Sequence, residues 1–66
     1  MNVQLNGVEF DFGDGASVAD LLAQTGRPFQ GVAVAVDGVV VPRSEWEDTV
    51  VPDGATVEIV TAVQGG

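Results

Sequence analysis

TVEIVTAVQGG, residues 56–66, is the stretch that decides how this chain is read. Val57, Ile59, Thr61 and Val63 alternate with Glu58, Val60 and Ala62, the period-two pattern of a β-strand. The strand is predicted over Thr56 to Val63, the last and longest of the chain, and Gly65-Gly66 follows it at once. Pro52-Asp53-Gly54 supplies a tight turn before it. If this closing strand joins the first strand in a parallel sense, it sits in the centre of the sheet.

Working back from that strand, Arg43 to Asp48 is predicted as a short helical turn capped by Ser44. Trp46 lies within it as the one large aromatic able to cover an edge of the core. The run from Gly31 to Val36, then Asp37-Gly38, then Val39-Val40-Val41 reads as a β-hairpin ended by Pro42. Before it, Ser17 with Asp20 three residues on is a helix N-cap with an acidic third residue. Val18, Leu21 and Leu22 fall on one helical face, and Gly26 and Pro28 mark the stop. A helix of about two turns is too short to persist alone, so it must pack its leucines on the sheet.

The chain opens on another hairpin. Val3 and Leu5, then Val8, Phe10 and Phe12, alternate with polar neighbours around Asn6-Gly7, a pair suited to the positive φ angles of a type I′ turn. Each strand is expected to turn its apolar face to the core, with Gln4, Glu9 and Asp11 facing away. The sum is a ββαββ-type α+β architecture: a mixed sheet, one main helix across one face, and the second hairpin completing an edge.

Composition narrows the function. Sixty-six residues make one domain with no room for a separate catalytic one, and 45% hydrophobic content argues against disorder. The net charge of −8, ten acidic residues against Arg27 and Arg43, would repel a phosphate backbone, so nucleic-acid binding is not expected. With no Cys there is neither a disulfide framework nor a thiolate site. The first residues carry no basic and apolar leader pattern, and no apolar run approaches the roughly 18 residues of a membrane span. A cytoplasmic protein, with no membrane partner and monomeric when free, is the expectation.

The absence of His, Cys, Lys and Tyr leaves carboxylates, hydroxyls and arginines, so a self-contained enzyme is not expected. Asp11, Asp14 and Asp20 miss the spacing of a calcium loop and read as surface, and no metal is assigned. Asp11-Phe12-Gly13 shares only its letters with a kinase signature, and Gly13 with Gly15 lacks the Lys that a phosphate loop needs. Glu45, Glu47 and Asp48 read as a solvated acidic face. What remains is the end of the chain. Two residues without side chains pass through a narrow channel where any Cβ would obstruct, and the last three could project about 10 Å beyond the sheet. The expected organisation is a domain over residues 1–63 and a flexible diglycine tail over 64–66.

Val32 to Val36 with Val39 to Arg43, and Val57 to Gly66, together with the placement of the first hairpin and the Leu21-Leu22 helix, resemble the ThiS family of sulfur carriers in thiamine biosynthesis. Asp37 stands where that family often has Asn, and Ala55 where Asp often follows the turn glycine; both are turn positions. The resemblance implies a ubiquitin-like β-grasp fold. It also implies a cycle in which a ThiF-type adenylating enzyme uses ATP and Mg²⁺ to activate the Gly66 carboxylate. Sulfur from a sulfur-donating enzyme's persulfide displaces AMP, and the resulting thiocarboxylate passes sulfur to thiazole synthase. On that reading Gly66 carries the sulfur, Gly65 permits close approach, Gln64 and Val63 guide the tail, and the chain itself binds no cofactor. Two alternatives stay open: the same chemistry for molybdopterin or cysteine synthesis, and a ubiquitin-like binding module or protein modifier, which would form amide conjugates through Gly66.

Overall fold

A computed structural model describes residues 1–26 and 30–61. The strands are β1 (Asn2–Leu5), β2 (Val8–Asp11), β3 (Val32–Val36), β4 (Val39–Val41) and β5 (Thr56–Thr61), with one helix, α1 (Val18–Gln24), and a 3-10 turn at Arg43–Glu45. The five strands form one sheet in the order β2-β1-β5-β3-β4. β1 runs parallel to β5, with Gln4 opposite Thr56 and Leu5 opposite Val57, while β3 runs antiparallel to β5 from Val32↔Thr61 to Val36↔Val57. The last strand in sequence therefore lies in the middle of the sheet, the position that parallel pairing with the first strand requires.

Both hairpins owe their turns to residues that tolerate positive φ. Asn6 and Gly7 sit at φ 50° and 81°, and Asp37 and Gly38 at 50° and 83°, the paired left-handed conformations of type I′ turns. These turns match the right-handed twist of the strands and so fix the register of each hairpin. The helix starts as its sequence dictates: the Ser17 hydroxyl accepts from the Asp20 amide at 3.1 Å, and the Asp20 carboxylate accepts from the Ser17 amide at 3.0 Å. Thr25 closes it, and Gly26 follows at φ 73°. Pro28, the expected stop beyond it, lies outside the described residues.

Seven residues of helix would be marginal in water, so α1 depends on its buried face. Leu21 and Leu22 are fully buried, each contributing about 1.5–3 kcal/mol of burial. They meet Val3 and Leu5 of β1, Val57 and Ile59 of β5, and Val34 of β3 in one core. Trp46 is buried and its indole N–H donates to the Val41 carbonyl at 2.8 Å, so it covers the core beside β4 as expected.

Two local expectations change, and one is not reached. By register Val8 pairs with Leu5 and Phe10 with Val3, so both point to the helix side, but they are 56% and 38% exposed. β2 is an edge strand, and the short helix does not reach over it; only Phe12, beyond the strand, is buried, with its ring 5.8 Å from that of Phe10. Ser44 does not cap the 3-10 turn, which starts after Pro42 with no side-chain hydrogen bond at its N-terminus. The last strand is described to Thr61, so its predicted end at Ala62 and Val63 lies outside the described residues.

The N-terminal ammonium ties the β2–α1 connection to the sheet. It donates to the Phe12 carbonyl at 2.6 Å and to Asp11 at 3.2 Å, and pairs with Asp14 at 3.3 Å. The hydrogen bond to Asp11 raises its pKa above the ordinary 8.0 and Asp14 adds to the rise, while desolvation works against both. Asp11, Asp14 and Asp20 thus have structural partners.

Candidate functional site

The sheet has one covered face and one open face. The residues of β5 that point to the helix, Val57 and Ile59, are buried; those between them, Glu58 and Val60, point to the open side. Register places Ala33 opposite Val60, and Ala35 opposite Glu58 and Val40, so these side chains share the open face. Together Ala33, Ala35, Val40, Val60 and Glu58, with Val34, line a shallow and mainly apolar depression of about 160 Å³. Val40 and Val60 are 68% and 57% exposed there, an unusual density of uncovered β-branched side chains on so small and acidic a protein.

A larger depression, of about 300 Å³, lies beside Trp46 and is lined by Ala19, Arg43, Ser44 and Glu47. It has no strand leading to the end of the chain. The open-face depression does: Val60 belongs to β5, the strand that precedes residues 62–66. Location rather than size therefore selects the open face as the candidate surface.

β5, the strand that precedes residues 62–66, is gripped by both hairpin turns. Asn6 places its side-chain amide against Ile59, accepting from the Ile59 N–H at 2.8 Å and donating to the Ile59 carbonyl at 2.9 Å. On the other side, Asp37 accepts from the Thr56 N–H at 2.9 Å through its carboxylate, and its own N–H donates to the Thr56 carbonyl at 2.8 Å. Each turn residue thus saturates both backbone groups of one β5 residue. Sequence reasoning treated Asn6 and Asp37 only as turn formers. The available signal was that Gly would also serve these positions, whereas Asn and Asp add a side chain able to bond a backbone.

The residues singled out from sequence, Val63, Gln64, Gly65 and Gly66, lie outside the described residues. Among the described residues no helix is long and apolar enough to cross a membrane, and no group of three His, Cys, Asp or Glu side chains is placed to hold a metal ion.

One helix laid over a mixed five-stranded sheet, with the first and last strands parallel at its centre, defines a ubiquitin-like β-grasp protein. The chain matches the ThiS family over residues 3–66 and belongs to it. It is 29% identical to the "Sulfur carrier protein ThiS" of Escherichia coli K12 over 66 residues, which is the full length of both. It is also 35% identical over 66 residues to a "Thiazole synthase" of Paramagnetospirillum magneticum, spanning 20% of that protein's length. Among solved structures, the crystal structure of a thiamine biosynthesis protein (ThiS) from Geobacter metallireducens superposes with a TM-score of 0.81 at 33% identity, covering 100% of both chains. The solution structure of a thiamine biosynthesis protein from the same organism gives 0.77 at 30% identity, covering 100% of this chain and 88% of the other.

Proposed function

We propose that this chain is the sulfur carrier of thiazole formation in thiamine biosynthesis, with the carboxylate of Gly66 as its working group. The observation that carries this reading is the family match running through residue 66, behind a central strand held on both sides. A carboxylate is a poor electrophile. A ThiF-type adenylating enzyme, using ATP and Mg²⁺, joins it to AMP with loss of pyrophosphate. The outer sulfur of a cysteine-derived persulfide, carried by a sulfur-donating enzyme, then displaces AMP to give an acyl disulfide; a second partner thiol attacks its S–S bond, forming a disulfide with the donor cysteine and releasing a terminal thiocarboxylate. Its nucleophilic sulfur goes to thiazole synthase.

The chain supplies no His, Cys, Lys or Tyr to any of these steps, which fits a carrier whose catalytic groups and bound nucleotide belong to its partners rather than an enzyme. Gly65 lets the partner's site close on the terminal carbonyl, and Gln64 and Val63 lead the tail into its channel. In this reading residues 1–63 form the domain and 64–66 the tail. The open face at Ala33, Ala35, Val40 and Val60 gives a partner a surface to hold while the tail enters its site. The similarity of the whole chain to a segment of a protein named thiazole synthase supports that enzyme as the recipient.

The test is intact-mass measurement after incubation with a ThiF-type enzyme, ATP, Mg²⁺ and a sulfide source. Exchange of one oxygen for sulfur adds about 16 Da, the same nominal change as oxidation of Met1, so fragmentation must place it on Gly66. Modification that localises to Gly66 and disappears on its deletion is the expected result. An unmodified Gly66 in the presence of an enzyme active on another ThiS chain refutes the reading.

A further inference from the structure

We propose that Asn6 is a positioning residue for the sulfur-carrying C-terminus: among the described residues its side-chain amide is the last bond holding β5 on the β1 side, and so it fixes the strand end from which the C-terminal residues continue. The inference rests on the carrier function proposed above, and begins from the hydrogen bonds of the parallel pair.

Gln4 N–H donates to the Ala55 carbonyl at 3.0 Å and Asn6 N–H to the Val57 carbonyl at 2.9 Å, so alternate β5 residues from Ala55 onward face β1. The next such residue is Ile59. At Asn6 the backbone turns away, at φ 50°, into the hairpin, and β1 has no further residue to offer. The side-chain amide takes the place of the missing strand, with one acceptor and one donor spaced as a peptide group would space them. A glycine would make the same turn without strain, so the turn alone does not call for Asn. The bond joins residues 53 apart in sequence, and what it stabilises is the far end of β5 rather than the hairpin.

Past Ile59, among the described residues, only β3 still pairs with β5, through Ala33↔Val60 and Val32↔Thr61. Ile59 itself is buried and stays anchored by its side chain. Without the Asn6 amide, Val60 and Thr61 rest on β3 alone, and the strand end loses its hold on the β1 side. The terminal carboxylate is then offered to the partner's active site from a less fixed starting point, and small misplacements of a reacting group are costly in rate.

Asn6→Gly keeps the turn and removes only the clamp; Val51→Ala, a core truncation outside the strands of the sheet, serves as the control for lost stability. Amide exchange and backbone order parameters are measured on each purified full chain, and adenylation by a ThiF-type enzyme is followed over a range of carrier concentrations. In Asn6→Gly, exchange at Ile59 is expected to rise about tenfold or more relative to Leu21, and order at Val60 and Thr61 to fall. kcat is expected to fall about threefold or more, a larger change than in KM. Val51→Ala is expected to keep the wild-type kcat. Unchanged exchange and order at Ile59–Thr61, or an equal loss of kcat in Val51→Ala, overturns the proposal. Should the wild-type chain itself resist adenylation, the carrier reading falls, while the exchange and order measurements still decide whether Asn6 sets the end of the strand.

Discussion

Replacing Trp46 with Phe removes a single buried donor. The indole N–H bonds the Val41 carbonyl at 2.8 Å, and both residues are buried, at 2% and 8% exposure. The carbonyl lies in the β3–β4 ladder opposite Val34, so what is lost is one buried hydrogen bond, about 0.5–1.5 kcal/mol net. The ring atoms lost in going from indole to phenyl withdraw roughly 40 Å² of apolar burial, worth about 1 kcal/mol more. At ~0.05–0.15 kcal/mol per residue the whole domain holds on the order of 3–10 kcal/mol, so a loss of about 1.5–2.5 kcal/mol is a large share of it. At ~4–8 °C per kcal/mol for a domain of this size, the thermal midpoint should fall by about 6–20 °C. Far-ultraviolet circular dichroism is the proper probe, because Trp46 is the sole tryptophan and its fluorescence is lost with the substitution. A midpoint within about 3 °C of the wild type would refute the reasoning, showing that the Val41 carbonyl finds another partner at little cost.

Two further outcomes follow from the same geometry. Ser17→Ala and Asp20→Ala should each lower stability by about 1 kcal/mol, and the double variant should lose less than the sum, because each side chain caps the other's amide; urea unfolding of the four-member cycle measures this. The N-terminal ammonium has a raised pKa when folded, so its stabilising contribution is complete below the unfolded value of 8.0 and is lost as pH rises through the higher folded value. With no His, Cys, Tyr or Lys in the chain, no side chain titrates across pH 7–10. The urea midpoint should therefore decline above pH 8, and N-terminal acetylation should flatten the profile.

Local chemistry made much of this protein readable from its residues. Asn6-Gly7 and Asp37-Gly38 specify type I′ turns, Ser17 and Asp20 specify a helix start, and the alternation through Val57 and Ile59 specifies a strand, because each signal acts over a few adjacent residues. The diglycine end and the shortage of catalytic side chains were equally plain, since they are matters of residue type. Only the tertiary structure decided what depends on distant neighbours. Val8 and Phe10 carry the right pattern for a core strand but lie at an edge that a two-turn helix leaves uncovered. Val40 and Val60, separated by a turn and a loop in sequence, form one apolar surface because β3 aligns both against its alanines. Asn6 reaches Ile59 across 53 residues, a bond no local pattern encodes, because it exists only once the parallel pairing of β1 with β5 has brought the first turn against the last strand.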